Sequence, residues 1–193
     1  MFESDLHLLE TLTQLGELLA IAGVQIEFVI AGGAGLIMQH IIQRGTQDVD
    51  VFAIRTPTGE LVRATAGLPP QLVEAAREVG SRQGLAVDWL NAQMARGSDW
   101  LPPDFEARIR WMELPGLRIG LVGRPDFIAF KLEAAADWAP GMSKHLNDLV
   151  ALKPSDTELA EAERWLAETN ADDPFFANVA WARSHVADHR SKE

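Results

Sequence analysis

Leu8, Leu9, Leu12, Leu15, Leu18 and Leu19 recur at helical spacing within residues 5–22, which predicts an amphipathic first helix. Gln25 to Ala31 is a short run rich in β-formers and reads as a strand; Gly32-Gly33 breaks it. Ala34 to Gln43 is apolar on most sides and reads as a buried helix, and Asp48 to Ile54 as a second strand. Thr56 to Pro70 carries turn residues and reads as a loop. Gln71 to Arg82 has helical periodicity, and Gly84 opens a third strand, Leu85 to Leu90. Asn91 to Phe105 shows no period. Arg108–Leu114 and Leu117–Val122 flank Pro115-Gly116, a hairpin signal. A helix is expected from Pro125 to about Trp138, with further helices near 143–152, 155–169 and 174–188.

This order, α-β-α-β-α-β-(β-β)-α and then helices only, predicts an α+β (α/β-like) fold with a small mixed sheet flanked by helices and a C-terminal helical cap. The expected division is an α/β core over 1–122 and a helical region over 123–193, packed on the core. A length of 193 residues supports a real hydrophobic core. No apolar run approaches the ~18 residues a membrane span needs. The start, Met1-Phe2-Glu3-Ser4-Asp5, carries two acids and no Lys or Arg, unlike a secretory signal. The expected location is the cytoplasm, with no membrane partner.

Two absences narrow the chemistry. Without Cys there is no disulfide, thiol nucleophile or Cys-based metal site, and without Tyr no phenolic acid or base. The net charge of −11 is concentrated at the ends: residues 1–22 hold four acids and no Lys or Arg, and residues 155–193 hold nine acids against four bases. Such a balance argues against broad coating of nucleic acid while leaving room for a local basic cleft between 23 and 154.

Four features carry candidate chemistry. In Asp48-Val49-Asp50 strand alternation points both carboxylates to one face. They either face water or share a hard divalent cation such as Mg²⁺. Gly32-Gly33 stands at a strand–helix turn, where it either packs tightly or lets a phosphate approach backbone amides. Asp88 ends the third expected strand, as a turn residue or as a third acid beside the first two. Lys131 lies in the apolar run Phe127–Leu132, from which it either snorkels to water or reaches a cleft as a point charge. Lys144 and Asp148, at i,i+4, are spaced as a surface ion pair. Tryptophans 89, 100, 111, 138, 165 and 181 are scattered and read as packing residues.

Together these features resemble the polymerase-β-like nucleotidyltransferase superfamily. Its pattern is Gly-Gly or Gly-Ser at a strand–helix turn, about a dozen residues, Asp-x-Asp on the next strand and a third acid from a later one. Here the matching residues are Gly32-Gly33, Asp48-Val49-Asp50 and Asp88. The stretch Arg44-Gly45-Thr46-Gln47-Asp48-Val49-Asp50 looks like the Arg-x-Thr-x-Asp-Ile-Asp version of bacterial proteins related to abortive-infection and toxin–antitoxin enzymes. Lys131-Leu132-Glu133-Ala134 and Lys144-His145-Leu146-Asn147-Asp148-Leu149 are similar to the Lys-Leu-x-Ala and Lys-Asp-x-x-Asp-Leu segments of that branch. His145 stands where an acid is usual, and neither Gly33 nor Ala34 supplies the hydroxyl common after the first glycine.

The resemblance, over about residues 24–152, implies a nucleotidyltransferase fold and transfer of a nucleoside monophosphate from an NTP to an RNA (tRNA) or protein hydroxyl. It implies Mg²⁺ (or Mn²⁺) on Asp48, Asp50 and Asp88, with Asp88 as third ligand or base. Gly32, Gly33 and Thr46 would place the phosphates; Arg44, Lys131, Lys144 and Asp148 complete the implied nucleotide site. A cognate partner protein is a further implication, and so is the alternative of an inactive, nucleotide-binding or regulatory member. The expected geometry brings Asp48, Asp50 and Asp88 into one cleft with Gly32-Gly33 at its rim.

Overall fold

The computed structural model describes residues 1–95, 101–137, 139–141, 143–169 and 173–190. Of the expected packing residues, Trp100 and Trp138 lie outside these. The chain divides into two compact units, Met1–Val122 and Gly123–Glu193.

The first unit opens with α1 (Asp5–Ile21), capped by Ser4, whose hydroxyl accepts from the His7 amide at 3.2 Å. Leu8, Leu12, Leu15 and Leu19 form its buried stripe, as their spacing predicts. β1 (Ile26–Ala31) follows, with Phe28, Val29 and Ile30 fully buried. α2 (Gly32–Met38) begins two residues earlier than the sequence suggests and ends five earlier, because His40 turns into the left-handed region at φ 58°. β2 (Val49–Arg55) runs antiparallel to β1, with an irregularity between Val29 and Ile30.

The expected loop 56–70 holds a strand, β3 (Leu61–Arg63), which returns along β2 after a tight turn closed by Thr56 and Glu60. α3 (Pro70–Gln83) starts on Pro70 and stops at Gly84, whose φ of 66° is the common helix-ending conformation. The third expected strand is much shorter: β4 is Leu90–Asn91, and Leu85–Trp89 is a turn closed by the Trp89 amide on the Ala86 carbonyl at 3.1 Å. A four-residue helix, α4 (Phe105–Arg108), precedes the hairpin β5 (Arg110–Leu114) and β6 (Leu117–Leu121). Pro115 and Gly116 make its two-residue link, with Gly116 at φ 63°.

The sheet order is β3-β2-β1-β6-β5, with β1 and β6 parallel and β4 pairing in parallel with β2. β1 holds one edge of β2, so β3 and β4 share the other: β3 lies against Ala53–Arg55 and β4 against Val49–Asp50. Gly16 lets the Pro115 carbonyl of the hairpin tip approach α1, where a methyl group would collide with it. Elsewhere on the sheet Glu27 joins Arg55 and Arg118, and both guanidiniums lie over Trp111. Hydrogen bonds to Glu106 and then Glu27 raise the Arg55 pKa further above its usual value.

The second unit is helical: α5 (Arg124–Asp137), α6 (Lys144–Ala151), α7 (Asp156–Thr169) and α8 (Asp173–Arg190). α5 packs against the other three and is buried over most of its length, Asp126 and Lys131 included, which fits a central helix. Phe130 meets Trp165 of α7 at 5.9 Å. Ser155 and Glu158 form a capping box at the start of α7: Glu158 accepts from the Ser155 amide at 2.8 Å, and Ser155 accepts from the Glu158 amide at 3.2 Å. Among the described residues no helix is long and apolar enough to cross a membrane.

Candidate active site

The site is built on the β1–α2 turn and on the approach to β2. The chain must reverse sharply after Ala31, and Gly32 does so at φ 65°, where a side chain is strained. Its missing Cβ has a second consequence: the Asp50 carboxylate lies against it, and a methyl group there would collide with Asp50 Oδ2. Ala31 and Asp50 are register partners across β1 and β2, which explains the contact. Gly33 makes room in the same way for Thr46: a Cβ would stand 2.9 Å from the Thr46 Oγ1 and 3.6 Å from an Arg44 guanidinium nitrogen.

Thr46 then turns toward Asp48. Its hydroxyl donates to the Asp48 main-chain carbonyl or to Oδ1, each at 3.4 Å. Asp48 immediately precedes β2 and Asp50 is its second residue; both are half-buried. The structure thus brings Gly32, Gly33, Arg44, Thr46, Asp48 and Asp50 together, from three segments of chain. Arg44 is exposed and also bonds the Gly45 carbonyl at 3.2 Å.

Asp88 does not join them. It lies exposed in the 85–89 turn, and its described contact is through its main-chain carbonyl, which accepts from Asn91 Nδ2 at 3.3 Å. Among the described residues no group of three or more acidic or histidine side chains could hold a metal ion. The expected convergence of Asp48, Asp50 and Asp88 fails because the strand supposed to carry Asp88 starts only at Leu90. Asn91 takes the place beside the two acids. It is the register partner of Asp50 on β4, and its Nδ2 stands 3.5 Å from Asp48 Oδ2. Its own Oδ1 accepts from the Gln93 amide at 2.9 Å, which fixes the amide with its donor side toward Asp48. Asp88-Trp89-Leu90-Asn91 gives a faint sequence signal for this: Asn91 is the polar residue that closes the apolar pair.

Lys131 neither snorkels nor stands open to a cleft. It is 4% exposed on α5 and donates to Asp148 Oδ2 of α6 at 2.9 Å. The spacing that suggested a Lys144–Asp148 pair is not used in that way: Lys144 is exposed, whereas Asp148 is turned inward and 1% exposed. In the first unit, two concavities of about 290 and 230 Å³ flank Asp5, and neither is lined by the residues of the cluster.

Two carboxylates with neutral donors around Asp48 suit a hard divalent cation. Mg²⁺ is commonly held by one or two carboxylates and completed by substrate phosphates and water, so a third acid is not a requirement. The chain belongs to the family described as "Nucleotidyltransferase of unknown function (DUF6036)", whose model matches residues 7–139. No curated protein and no solved structure gives a significant match.

Proposed function

We propose that this nucleotidyltransferase-family chain transfers a nucleoside monophosphate from an NTP to a hydroxyl of RNA, such as a tRNA end, or of protein. The observation that carries the reading is the meeting of Gly32, Gly33 and Thr46 with Asp48 and Asp50. Small residues and a hydroxyl there leave space and hydrogen-bonding groups for phosphate oxygens. The two carboxylates would hold Mg²⁺, or Mn²⁺, which when bound neutralises triphosphate charge and polarises the α-phosphorus. Thr46 and Asn91 keep Asp48 oriented without neutralising it. Arg44 adds the positive charge at the Gly33 side. The acceptor hydroxyl oxygen bonds to the α-phosphorus and gives its proton to solvent water, the bond to the β-phosphate oxygen breaks, and pyrophosphate leaves with the electron pair. Lys131, Lys144 and Asp148 enter this reading on the resemblance alone. The biological setting we propose is the cytoplasm and a toxin–antitoxin or phage-defence pair, with a cognate partner protein.

One observation favours a second reading. The position beside Asp48 and Asp50 holds an amide, Asn91, whereas Asp88, the third acid the resemblance implies, lies in the preceding turn. A member without the third acid, and so without a base on that strand, would bind Mg²⁺–NTP and act as a regulatory or antitoxin-like partner. The test is incubation with each labelled NTP, Mg²⁺, total RNA and the protein itself, beside thermal shifts with each Mg²⁺–NTP. Label transfer with pyrophosphate release supports the transferase. A shift without transfer selects the binding protein, and the absence of both overturns both readings.

A further inference from the structure

The segment that carries Thr46 and Asp48 has little regular structure of its own. Between Met38, where α2 ends, and Val49, where β2 begins, it is tied to Phe2 by an isolated antiparallel bridge. The Phe2 amide donates to the Thr46 carbonyl at 2.7 Å, and the Thr46 amide donates back to the Phe2 carbonyl at 2.9 Å. The Phe2 side chain is fully buried, and its ring centre lies 5.8 Å from that of Trp89.

Trp89 is equally fixed. It is 1% exposed, its Nε1 donates to the Ala76 carbonyl of α3 at 2.8 Å, and Gly80 leaves the space its ring occupies. Its main-chain carbonyl accepts from the Val49 amide at 2.6 Å. Asp48 is therefore held from both sides. Thr46, before it, is bonded to Phe2; Val49, after it, is bonded to Trp89; and the two aromatic rings pack on each other.

We propose that Phe2, acting through Thr46 and Trp89, is a positioning residue that sets the Asp48 carboxylate for the metal–nucleotide complex, a role that rests on the nucleotidyltransferase reading above. Catalytic and metal-binding groups need placement to roughly 0.5 Å, and a 1 Å displacement costs about a hundredfold. An aromatic plug behind a loop of no regular structure supplies that placement. Phe2 touches none of the reacting groups; it governs where they stand.

The test uses the full chain and two measurements. Amide hydrogen exchange is followed across residues 44–50, and Mg²⁺–ATP affinity is titrated. Phe2→Ala is expected to speed exchange at Thr46 and Val49 at least tenfold and to weaken Mg²⁺–ATP at least tenfold. Phe2→Leu, which keeps most of the apolar volume, is expected to return both to within about threefold of wild type. Gly45→Ala is the second variant, independent of the core: its Cβ would stand 2.9 Å from the Phe2 carbonyl oxygen and would push the bridge apart, with the same two effects. Leu12→Ala, equally buried but on α1, is expected to lower the melting temperature without moving either measurement. Unchanged exchange or unchanged affinity in folded Phe2→Ala and Gly45→Ala, beside a wild type that binds, overturns the positioning role. A wild type that binds neither Mg²⁺–ATP nor any other Mg²⁺–NTP, with exchange still responding to Phe2, overturns the nucleotide reading and the positioning role with it, while the bridge itself stands.

Discussion

Asp148 and Asp48 are the same residue type put to opposite uses. In the helical unit Asp148 is 1% exposed and bonded to the Lys131 ammonium at 2.9 Å, so its charge is matched inside the fold. In the α/β unit Asp48 is half-buried, and the side chains described as donating to it are a hydroxyl and an amide, both neutral. Orientation without neutralisation leaves a carboxylate able to take a cation. A buried ion pair, by contrast, is a structural commitment: its Coulomb gain is set against desolvation of both partners, and losing either partner strands the other. The difference is the reason the proposed cation site falls in the first unit, while the acid of the second serves its own interior.

The sharpest way to break this contrast is Lys131→Met. Removing one member of a buried pair costs about 3–5 kcal/mol, which for a chain of this size lowers the melting temperature by about 10 °C. Lys131→Met with Asp148→Leu is expected to recover most of the loss, because apolar replacement of both members is often neutral. Thermal denaturation of the single and double variants checks this. A single variant that melts like wild type would put the pair outside the stabilising interior.

Gly32→Ala comes next. An alanine at φ 65° costs about 1–2 kcal/mol, and its methyl group collides with the Asp50 carboxylate. We expect a loss of about 2 kcal/mol, measured by urea denaturation, together with weaker binding of Mn²⁺ as Asp50 is pushed aside. Stability loss with unaltered Mn²⁺ binding would separate the turn from the site.

A third acid completes the comparison. Arg124 holds the Glu158 carboxyl down at about 2, chiefly through their hydrogen bonds at 2.7 and 3.2 Å, with help from the Ser155 amide. A lowered folded-state pKa means that the stabilisation is complete above the ordinary value of 4.5 and is lost as pH falls from there toward 2. Arg124 is nearly half exposed, so solvent screening reduces the effect to about 1 kcal/mol. Urea midpoints at pH 6 and pH 3 should differ less in Glu158→Gln than in wild type. Equal pH dependence in the two proteins would remove Glu158 from the acid-sensitive groups.

Much of the site was legible because its signals are local. Gly32-Gly33 and Asp48-Val49-Asp50 each declare a turn or a strand face within a few residues, and the β1–β2 pairing that joins them links consecutive strands. The leucine stripe of α1 and the Pro115-Gly116 hairpin are local in the same sense. What was not legible depends on tertiary partners. β4 is two residues long and exists because Leu90 and Asn91 pair with Val49 and Asp50 of β2; the largely apolar run Leu85 to Leu90 gave a strand in the wrong place, and with it a misplaced Asp88. Lys131 and Asp148 are 17 residues apart on different helices, and i,i+4 spacing favoured Lys144 instead. Leu61–Arg63 is too short to show a period.

The smallest expected change in stability is also the most informative. Asp48→Asn keeps the shape of the side chain and an oxygen that can accept from Thr46. Relative to wild type it removes one negative charge from a face that also carries Asp50. No ammonium or guanidinium is described as bonded to Asp48, so the substitution strands no partner, and relief of repulsion offsets the weaker hydrogen bond. Stability is expected to stay within about 0.5 kcal/mol of wild type. A divalent cation, however, needs the charge: an amide oxygen in place of a carboxylate is a far poorer ligand for Mg²⁺. Calorimetric titration should therefore show Mg²⁺–NTP binding lost in a protein whose urea midpoint is unmoved. Were Asp48→Asn instead to destabilise the fold by several kcal/mol, Asp48 would be a structural partner like Asp148, and the contrast between the two units would collapse.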